Sequence, residues 1–187
     1  MTTPEDQTQN LEKKTYTITA FSENQIGLLN RITIIFTRRR VNISTLTVSP
    51  SAIDGVHKFT IVVHDTKEKV EKVVRQIEKL VEVLRAFYHP DEDVVFQEIA
   101  LYKVPTEELL RSTELEALIR KHNARILEVT YDYTVIEKTG HGDELQHLFE
   151  HLKGYNIRQF TRSGRVAVTK LQSELLSDYL KAVDENH

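Results

Sequence analysis

The chain contains no cysteine and no tryptophan, only four prolines and six glycines, and no long apolar run. Without cysteine there is no disulfide framework, no thiolate nucleophile and no cysteine-ligated zinc or iron–sulfur centre. Its apolar stretches fall far short of the roughly 18 consecutive residues that a membrane-spanning helix needs. These absences exclude disulfide-stabilised, thiol-dependent and membrane-spanning classes of protein.

The glycines are scattered through the sequence, at positions 27, 55, 140, 142, 154 and 164. Phosphate-binding loops and nucleophile elbows need clustered glycines, and no such motif is present. The net charge is −3, and no extended basic face is visible, so no nucleic-acid binding is expected. Arg38, Arg39 and Arg40 are interpreted as the exposed last turn of a helix. No complete set of catalytic residues is found in this chain.

The distribution of charge indicates two domains. With 187 residues the chain can form one ordinary domain or two small ones, and residues 1–90 carry a net charge of +3 while residues 91–187 carry −6. The charge changes sign at Pro90, which three acidic residues follow, a composition typical of a domain joint. We therefore predict a disordered leader at 1–13, domains at 14–90 and 91–170, and a C-terminal helix and tail at 171–187. The leader lacks the features of a secretory signal, which favours a cytoplasmic protein.

The predicted order of elements in the first domain is β-α-β-β-α-β. Strands are predicted at 15–21 and 41–48, followed by a strand through Phe59 and a last strand that Val81 and Val83 open. Helical periodicity predicts two helices. The second spans 70–80, and the first has a buried face that is formed by Leu28, Ile32, Ile35 and Phe36. This order is the ferredoxin-like α+β arrangement, with two helices on one face of an antiparallel sheet. The two helices leave the other face of the sheet open, so we expect it to be buried against a second copy or another domain, and we predict a dimer.

The second domain repeats this order less clearly. A strand at 94–104 and a helix over 106–121 are predicted, and alternating apolar residues over 127–135 form one long strand or two, with two favoured. A helix buried through Leu145 and Leu152 follows, with strands around Ile157 and Val166. The fold class is thus α+β, with two ferredoxin-like βαββαβ domains.

His147, Glu150 and His151 match the H-x-x-E-H pattern of one class of zinc peptidase. Such a site needs a third ligand from another element, and the sequence does not point to one. We interpret these histidines, and His141 before them, as solvated residues of a helix, and predict no metal site.

The turn Ser22–Arg31 suits a small anion. Backbone N–H groups at a helix N-terminus attract a carboxylate, Gly27 lets the backbone approach closely, and Asn24 offers a side-chain amide. An α-amino acid meets these requirements. A capped turn without a ligand explains the same residues, and the chemistry alone favours neither interpretation.

Three segments of the first domain resemble the ACT domain of the acetolactate synthase (acetohydroxyacid synthase) regulatory small subunit. They are Glu23-Asn24-x-x-Gly27-Leu28-Leu29-x-Arg31, Asn42-Ile43-x-x-Leu46-Thr47-Val48 and Ile77-Glu78-Lys79-Leu80-Val81-x-Val83-Leu84. The resemblance continues through Glu98-Ile99-Ala100-Leu101-x-Lys103-Val104, Ile126-Leu127-Glu128-Val129-Thr130, Tyr133-Thr134-Val135 and Arg162-Ser163-Gly164. It covers about residues 14–170.

The resemblance implies a homodimer, formed through the ACT domain, that binds branched-chain amino acids, usually valine, at its interface. It assigns effector binding to eight residues: Asn24, Gln25, Ile26, Gly27, Leu28, Leu29, Asn42 and Ile43. Asn42 would come from the neighbouring chain. The resemblance also implies a catalytic large subunit that this chain activates and makes sensitive to feedback inhibition, and that holds thiamine diphosphate, magnesium and FAD. A freestanding ACT-domain sensor with another target is the alternative.

One position departs from the family. The resembling sequences usually carry glycine where this chain has Arg40. If that position is left-handed, Arg40 costs about 1 kcal/mol of strain unless the turn has rearranged, and effector preference could shift.

Overall fold

A computed structural model describes residues 12–171, which form two compact units. The first comprises residues up to Val95 together with those from Ala167, and the second comprises Phe96–Val166. The predicted leader, apart from residues 12 and 13, and the predicted C-terminal helix, apart from residue 171, lie outside the described residues. Within 12–171 no helix is both long and apolar enough to cross a membrane.

The first unit has the predicted β-α-β-β-α-β order. Its elements are β1 (Lys13–Glu23), α1 (Leu28–Arg39), β2 (Ile43–Pro50), β3 (Val56–Thr66), α2 (Lys67–Ile77) and β4 (Val83–Pro90). The antiparallel strands lie in the order β2-β3-β1-β4, so β2 and β4 are the edges. Val81 precedes β4 and is 95% exposed, so the strand begins two residues later than predicted.

One apolar face of the sheet packs against both helices. The buried α1 residues are the predicted set, Leu28, Ile32, Ile35 and Phe36. Helix α2 buries a stripe at helical spacing, Val70, Val73, Val74 and Ile77. Alternate residues of the central strands complete the core: Tyr16, Ile18, Ala20, Phe59, Ile61 and Val63. Buried side chains thus recur about every 3.6 residues in the helices and every second residue in the strands, as the sequence predicts.

The second face of the sheet, which we expected to need a covering partner, is partly buried within this chain. Thr17, Thr19, Thr60 and Val62 alternate with the core residues and are also buried. Lys58 lies on this face and donates a hydrogen bond from Nζ to the carbonyl oxygen of Ala167 at 2.7 Å. The chain therefore returns to this face from a segment distant in sequence, which strand periodicity cannot reveal.

The second unit repeats the topology of the first. A 3₁₀ turn, Asp91–Asp93, leads into β5 (Val94–Pro105), α3 (Thr106–Arg111), α4 (Thr113–Lys121), β6 (Arg125–Val129), β7 (Tyr133–Gly140), α5 (Gly142–Leu152) and β8 (Gln159–Arg162). The strand order is β6-β7-β5-β8, and a short β9 (Val166–Thr169) pairs with β5. The two predicted strands around Tyr131 are confirmed. The single predicted helix over 106–121 is wrong, because Ser112 ends α3 and its hydroxyl caps α4 by accepting from the Leu115 N–H at 3.2 Å.

The core of the second unit lies between its sheet and helices α4 and α5. Nine buried residues form it: Ala100, Tyr102, Val104, Leu115, Ile119, Ile136, Leu145, Leu148 and Leu152. Tyr102 is fully buried, and its hydroxyl donates to the carbonyl oxygen of Leu145 at 2.8 Å. Burial raises the pKa of this hydroxyl to about 12. The hydrogen bond satisfies the polar group of the largest core residue and joins β5 to α5.

Candidate effector site

The predicted anion-binding turn connects β1 to α1. Gly27 stands immediately before the helix with φ 85° and ψ −7°, a left-handed conformation that favours glycine. A Cβ built at Gly27 would meet no atom within 4 Å, so the turn is open on that side. The backbone angle therefore favours glycine, and open space lies beside it.

The first turn of α1 presents unpaired donors. The Leu28 N–H donates to the Gln25 carbonyl at 3.3 Å, and the Arg31 N–H donates to the Gly27 carbonyl at 3.2 Å. Within residues 12–171, the N–H groups of Gly27, Leu29 and Asn30 have no hydrogen-bond partner. No acidic residue lies in this turn to offset the partial positive charge of the helix terminus. The arrangement suits a carboxylate.

The turn exposes apolar side chains beside these donors. Ile26 is fully exposed at 102%, Leu29 is 45% exposed, and Asn24 and Gln25 are exposed as well. Leu28 differs, because its side chain is 1% exposed and packs in the core. Of the six predicted turn residues, Leu28 can therefore offer a ligand only its backbone.

Asn42 and Ile43 lie far from the turn of the same chain. The strand register pairs Ile43 with Val63, whereas Glu23, at the start of the turn, pairs with Val56. Seven residues of extended strand separate these levels, a distance of about 23 Å along the sheet. Asn42 is exposed and Ile43 is half-buried at the start of edge strand β2. One chain alone therefore does not bring the predicted effector residues together.

Two contacts hold the turn in place through Glu82, in the loop before β4. The Glu23 N–H donates to the Glu82 carbonyl at 3.0 Å, and the Arg31 guanidinium lies 2.7 Å from the Glu82 carboxylate. The hydrogen bond from Arg31 lowers the pKa of the Glu82 carboxyl. The sequence analysis did not identify Glu82, because nothing local to it marks a contact with a turn over fifty residues earlier.

Arg40, which stands where the resembling sequences usually carry glycine, adopts a left-handed conformation. It follows α1 with φ 54° and ψ 39°, and its N–H donates to the Thr37 carbonyl at 3.1 Å. The other left-handed residues within 12–171 are asparagine or glycine, which tolerate this conformation. Arg40 therefore carries strain just before Val41 and Asn42.

The H-x-x-E-H segment lies on α5, and its glutamate is engaged elsewhere. Glu150 accepts from the Gln146 side chain at 2.8 Å through one oxygen and from Lys153 at 2.6 Å through the other. The hydrogen bond from Lys153 lowers the pKa of this carboxyl. Both oxygens are thus occupied, and nothing in this geometry favours the peptidase interpretation.

The fold and the glycine turn define the class of protein. Residues 18–85 match the family model described as "AHAS small subunit-like ACT domain", which covers most of the first unit. The first unit is an ACT domain, and the free N–H groups beside Gly27 lie at its β1–α1 turn. Residues 97–171 match a second family model, described as "Small subunit of acetolactate synthase".

Whole-chain comparisons agree with these matches. The chain is 34% identical over 154 residues to the acetolactate synthase small subunit of Bacillus subtilis, covering 82% of this chain and 89% of the relative. It is 34% identical over 157 residues to a probable acetolactate synthase small subunit of Archaeoglobus fulgidus, covering 83% and 96%. The crystal structure of the Thermotoga maritima acetolactate synthase small subunit superimposes with a TM-score of 0.75 at 26% identity, covering 86% of this chain and 99% of that one. The chain belongs to the acetolactate synthase small subunit family.

Proposed function

We propose that this chain is the regulatory subunit of acetolactate synthase, which activates the catalytic subunit and makes it sensitive to feedback inhibition by branched-chain amino acids, valine foremost. The observation that carries the proposal is the turn at Gly27, where three unpaired N–H groups lie beside exposed Ile26 and Leu29. A carboxylate and a branched aliphatic side chain on one small molecule match these two features.

In the proposed complex the valine carboxylate accepts hydrogen bonds from the N–H groups of Gly27, Leu29 and Asn30. Its ammonium group lies near the side-chain amide of Asn24, and its isopropyl group contacts Ile26 and Leu29. Burying this apolar group removes exposed Ile26 from water, which contributes about 25 cal/mol per Å² of buried apolar surface. The charged ends give the site its specificity for a free amino acid.

A second chain completes the site. Edge strand β2 ends at Pro50, which pairs with His57, one residue from the level of Glu23 and the turn. If two β2 strands pair antiparallel about a two-fold axis, the start of one strand lies beside the end of the other. That pairing would bring Asn42 of the partner subunit toward the turn, together with Ile43 of the partner subunit. Within one chain the two parts of the site are about seven strand residues, or about 23 Å, apart, so a second chain is needed to bring them together.

A ligand that is shared between two chains favours the dimer arrangement in which both halves of the site meet. The coupling between effector and catalysis needs only about 1 to 3 kcal/mol, a 5- to 150-fold change, to regulate a pathway. Catalysis is assigned to the large subunit, which would hold thiamine diphosphate, magnesium and FAD. This chain would contribute no group to the carbon–carbon bond formation and would act in the cytoplasm beside its partner.

The test is reconstitution of acetolactate synthesis from the purified catalytic subunit of the same organism and this chain. Addition of the chain should raise the rate, and valine, leucine or isoleucine titrated into the mixture should lower it. Failure of the chain to change the rate would favour the alternative, a freestanding ACT-domain sensor with another target.

Two substitutions at one position test the placement of the carboxylate. Gly27→Asp and Gly27→Asn add side chains of nearly equal size, and asparagine tolerates the left-handed backbone. Only aspartate places a negative charge beside the ligand carboxylate, so Gly27→Asp should abolish valine inhibition while Gly27→Asn keeps more of it. Equal inhibition of the two variants would contradict the proposed orientation.

A further inference from the structure

Three histidines from two helices converge in the second unit, at a site outside the ACT domain. His122 follows the last residue of α4, and His147 and His151 lie one turn apart on α5. The ring centroids are 5.3 Å apart for His122 and His147, 5.4 Å for His122 and His151, and 4.4 Å for His147 and His151. One nitrogen from each ring can be chosen so that all three atoms lie within 4.8 Å of one another.

The hydrogen bonds around the cluster leave ring lone pairs available. His151 Nδ1 lies 2.8 Å from the carbonyl oxygen of His147, and a carbonyl can only accept, so this nitrogen carries the proton. The lone pair of His151 is therefore on Nε2. Bonds of this kind, from the second ring nitrogen to a backbone carbonyl, orient metal-binding histidines in proteins. His122 Nε2 is buried and has no hydrogen-bond partner within the described residues, which is costly unless something else binds it.

The surroundings of the cluster select against hard cations. On strand β7, Lys138 donates a hydrogen bond from Nζ to the His122 carbonyl at 2.9 Å. Glu150, the carboxylate on the same helix, is bonded to Gln146 and Lys153. Magnesium and calcium prefer oxygen ligands and carboxylates, whereas neutral imidazoles suit Zn²⁺, Ni²⁺ and Cu²⁺.

We propose that His122, His147 and His151 bind one transition-metal ion of this borderline class, with Zn²⁺ as the ion of first choice and water in the remaining position. Zn–N bonds of about 2.0 to 2.1 Å in a tetrahedral site place ligand nitrogens about 3.4 Å apart. The rings must therefore close by up to about 1.4 Å from the separation in the structure. His147 and His151 are exposed, so rotation of their side chains can supply this movement.

The ion would join the end of α4 to α5 across the helical face of the second unit. It would bind the folded unit in preference to the unfolded chain, so it would stabilise that unit according to its concentration. The inference does not depend on the proposed regulatory function. It gives the two histidines of the H-x-x-E-H pattern a binding role without the peptidase role of the glutamate.

The experiment uses the full chain without a histidine tag, freed of metal with a chelator and titrated with ZnCl₂ by calorimetry. We expect one ion per chain and a rise in the melting temperature. His122→Asn, His147→Asn and His151→Asn should each weaken binding by about tenfold or more. His141→Asn is the matched control, because His141 lies in the same unit outside the cluster and asparagine can also cap α5. It should leave binding unchanged.

The decisive measurement is the zinc affinity of His122→Asn, which keeps only His147 and His151 of the three ligands. Two exposed histidines one turn apart can bind zinc without a third ligand, so unchanged affinity in His122→Asn would overturn the proposal. Equal binding of MgCl₂ or CaCl₂ would overturn it as well. Should His122→Asn fail to fold, the absorption spectrum of the Co²⁺-loaded wild-type protein decides, since tetrahedral coordination by three nitrogens is expected and octahedral hydrated Co²⁺ would contradict it.

Discussion

Replacing Arg40 with glycine should stabilise the first unit. The arginine adopts φ 54° and ψ 39°, and an L-residue in this region costs about 1 to 2 kcal/mol relative to the right-handed region. Glycine removes that cost but gains roughly 0.5 to 1 kcal/mol of freedom in the unfolded chain. The Arg40 N–H to Thr37 hydrogen bond involves only backbone atoms, so it survives the substitution. The difference between these ranges is about 0 to 1.5 kcal/mol. Its centre, about 0.75 kcal/mol, is equivalent to about 3 to 6 °C in melting temperature for a unit of this size.

Arg38→Gly provides the matched control. Arg38 is exposed and lies within α1, two residues before the left-handed position, so its substitution removes the same side chain and charge from a right-handed backbone. Glycine there should destabilise the unit by about 0.5 to 1 kcal/mol. Calorimetric melting of both variants measures whether each substitution raises or lowers the melting temperature. An Arg40→Gly protein that melts at or below the wild-type temperature would refute the strain argument.

Two further predictions concern the contributions of individual side chains to stability. Leu28→Ala should destabilise the chain by about 2 to 5 kcal/mol in urea unfolding, because Leu28 is 1% exposed in the core. Ile26→Ala should change the free energy of unfolding by less than about 0.5 kcal/mol but weaken valine inhibition, because Ile26 is fully exposed. A large loss of stability in Ile26→Ala would contradict this assignment. Tyr102→Phe should flatten the loss of stability in alkali: the folded pKa of about 12 exceeds the ordinary value of 10.0, so the stabilisation by Tyr102 is complete below pH 10 and is lost as the pH rises towards 12. Unfolding of both proteins at several pH values measures this, and parallel curves would refute it.

Local periodicity was sufficient to predict the order of elements in the first unit and, apart from one helix that is divided in two, in the second. The α1 residues Leu28, Ile32 and Phe36 repeat at helical spacing, and the structure buries all of them. The break of the helical segment at Ser112 was missed, because a serine within a polar, helix-compatible stretch acts as a cap only where tertiary packing turns the chain. Which segment covers the second sheet face was not predictable either, because Lys58 bonds to Ala167, 109 residues away in sequence.

In the candidate sites too, residues close in sequence were predictable and contacts between distant segments were not. Gly27 and its neighbours are contiguous, so the sequence alone indicated a turn that could bind an anion, and the structure supplied the free N–H groups. The distance between Asn42 and that turn follows only from the strand register. His122 lies 25 residues before His147, and only the packing of α4 beside α5 brings the two rings together. A ligand set that comes from two elements needs the fold before it can be recognised.

The central claim is that the effector lies between two chains, and a complementation measurement tests it most directly. Asn24→Ala and Asn42→Ala chains, carrying different affinity tags, are co-expressed, and the heterodimer is purified and combined with the catalytic subunit. Each homodimer should be insensitive to valine, because every site lacks one amide. The heterodimer should regain inhibition, since the turn of the Asn42→Ala chain meets an intact Asn42 of the partner subunit. A heterodimer as insensitive as the homodimers, or inhibition retained by either homodimer, would contradict the shared site.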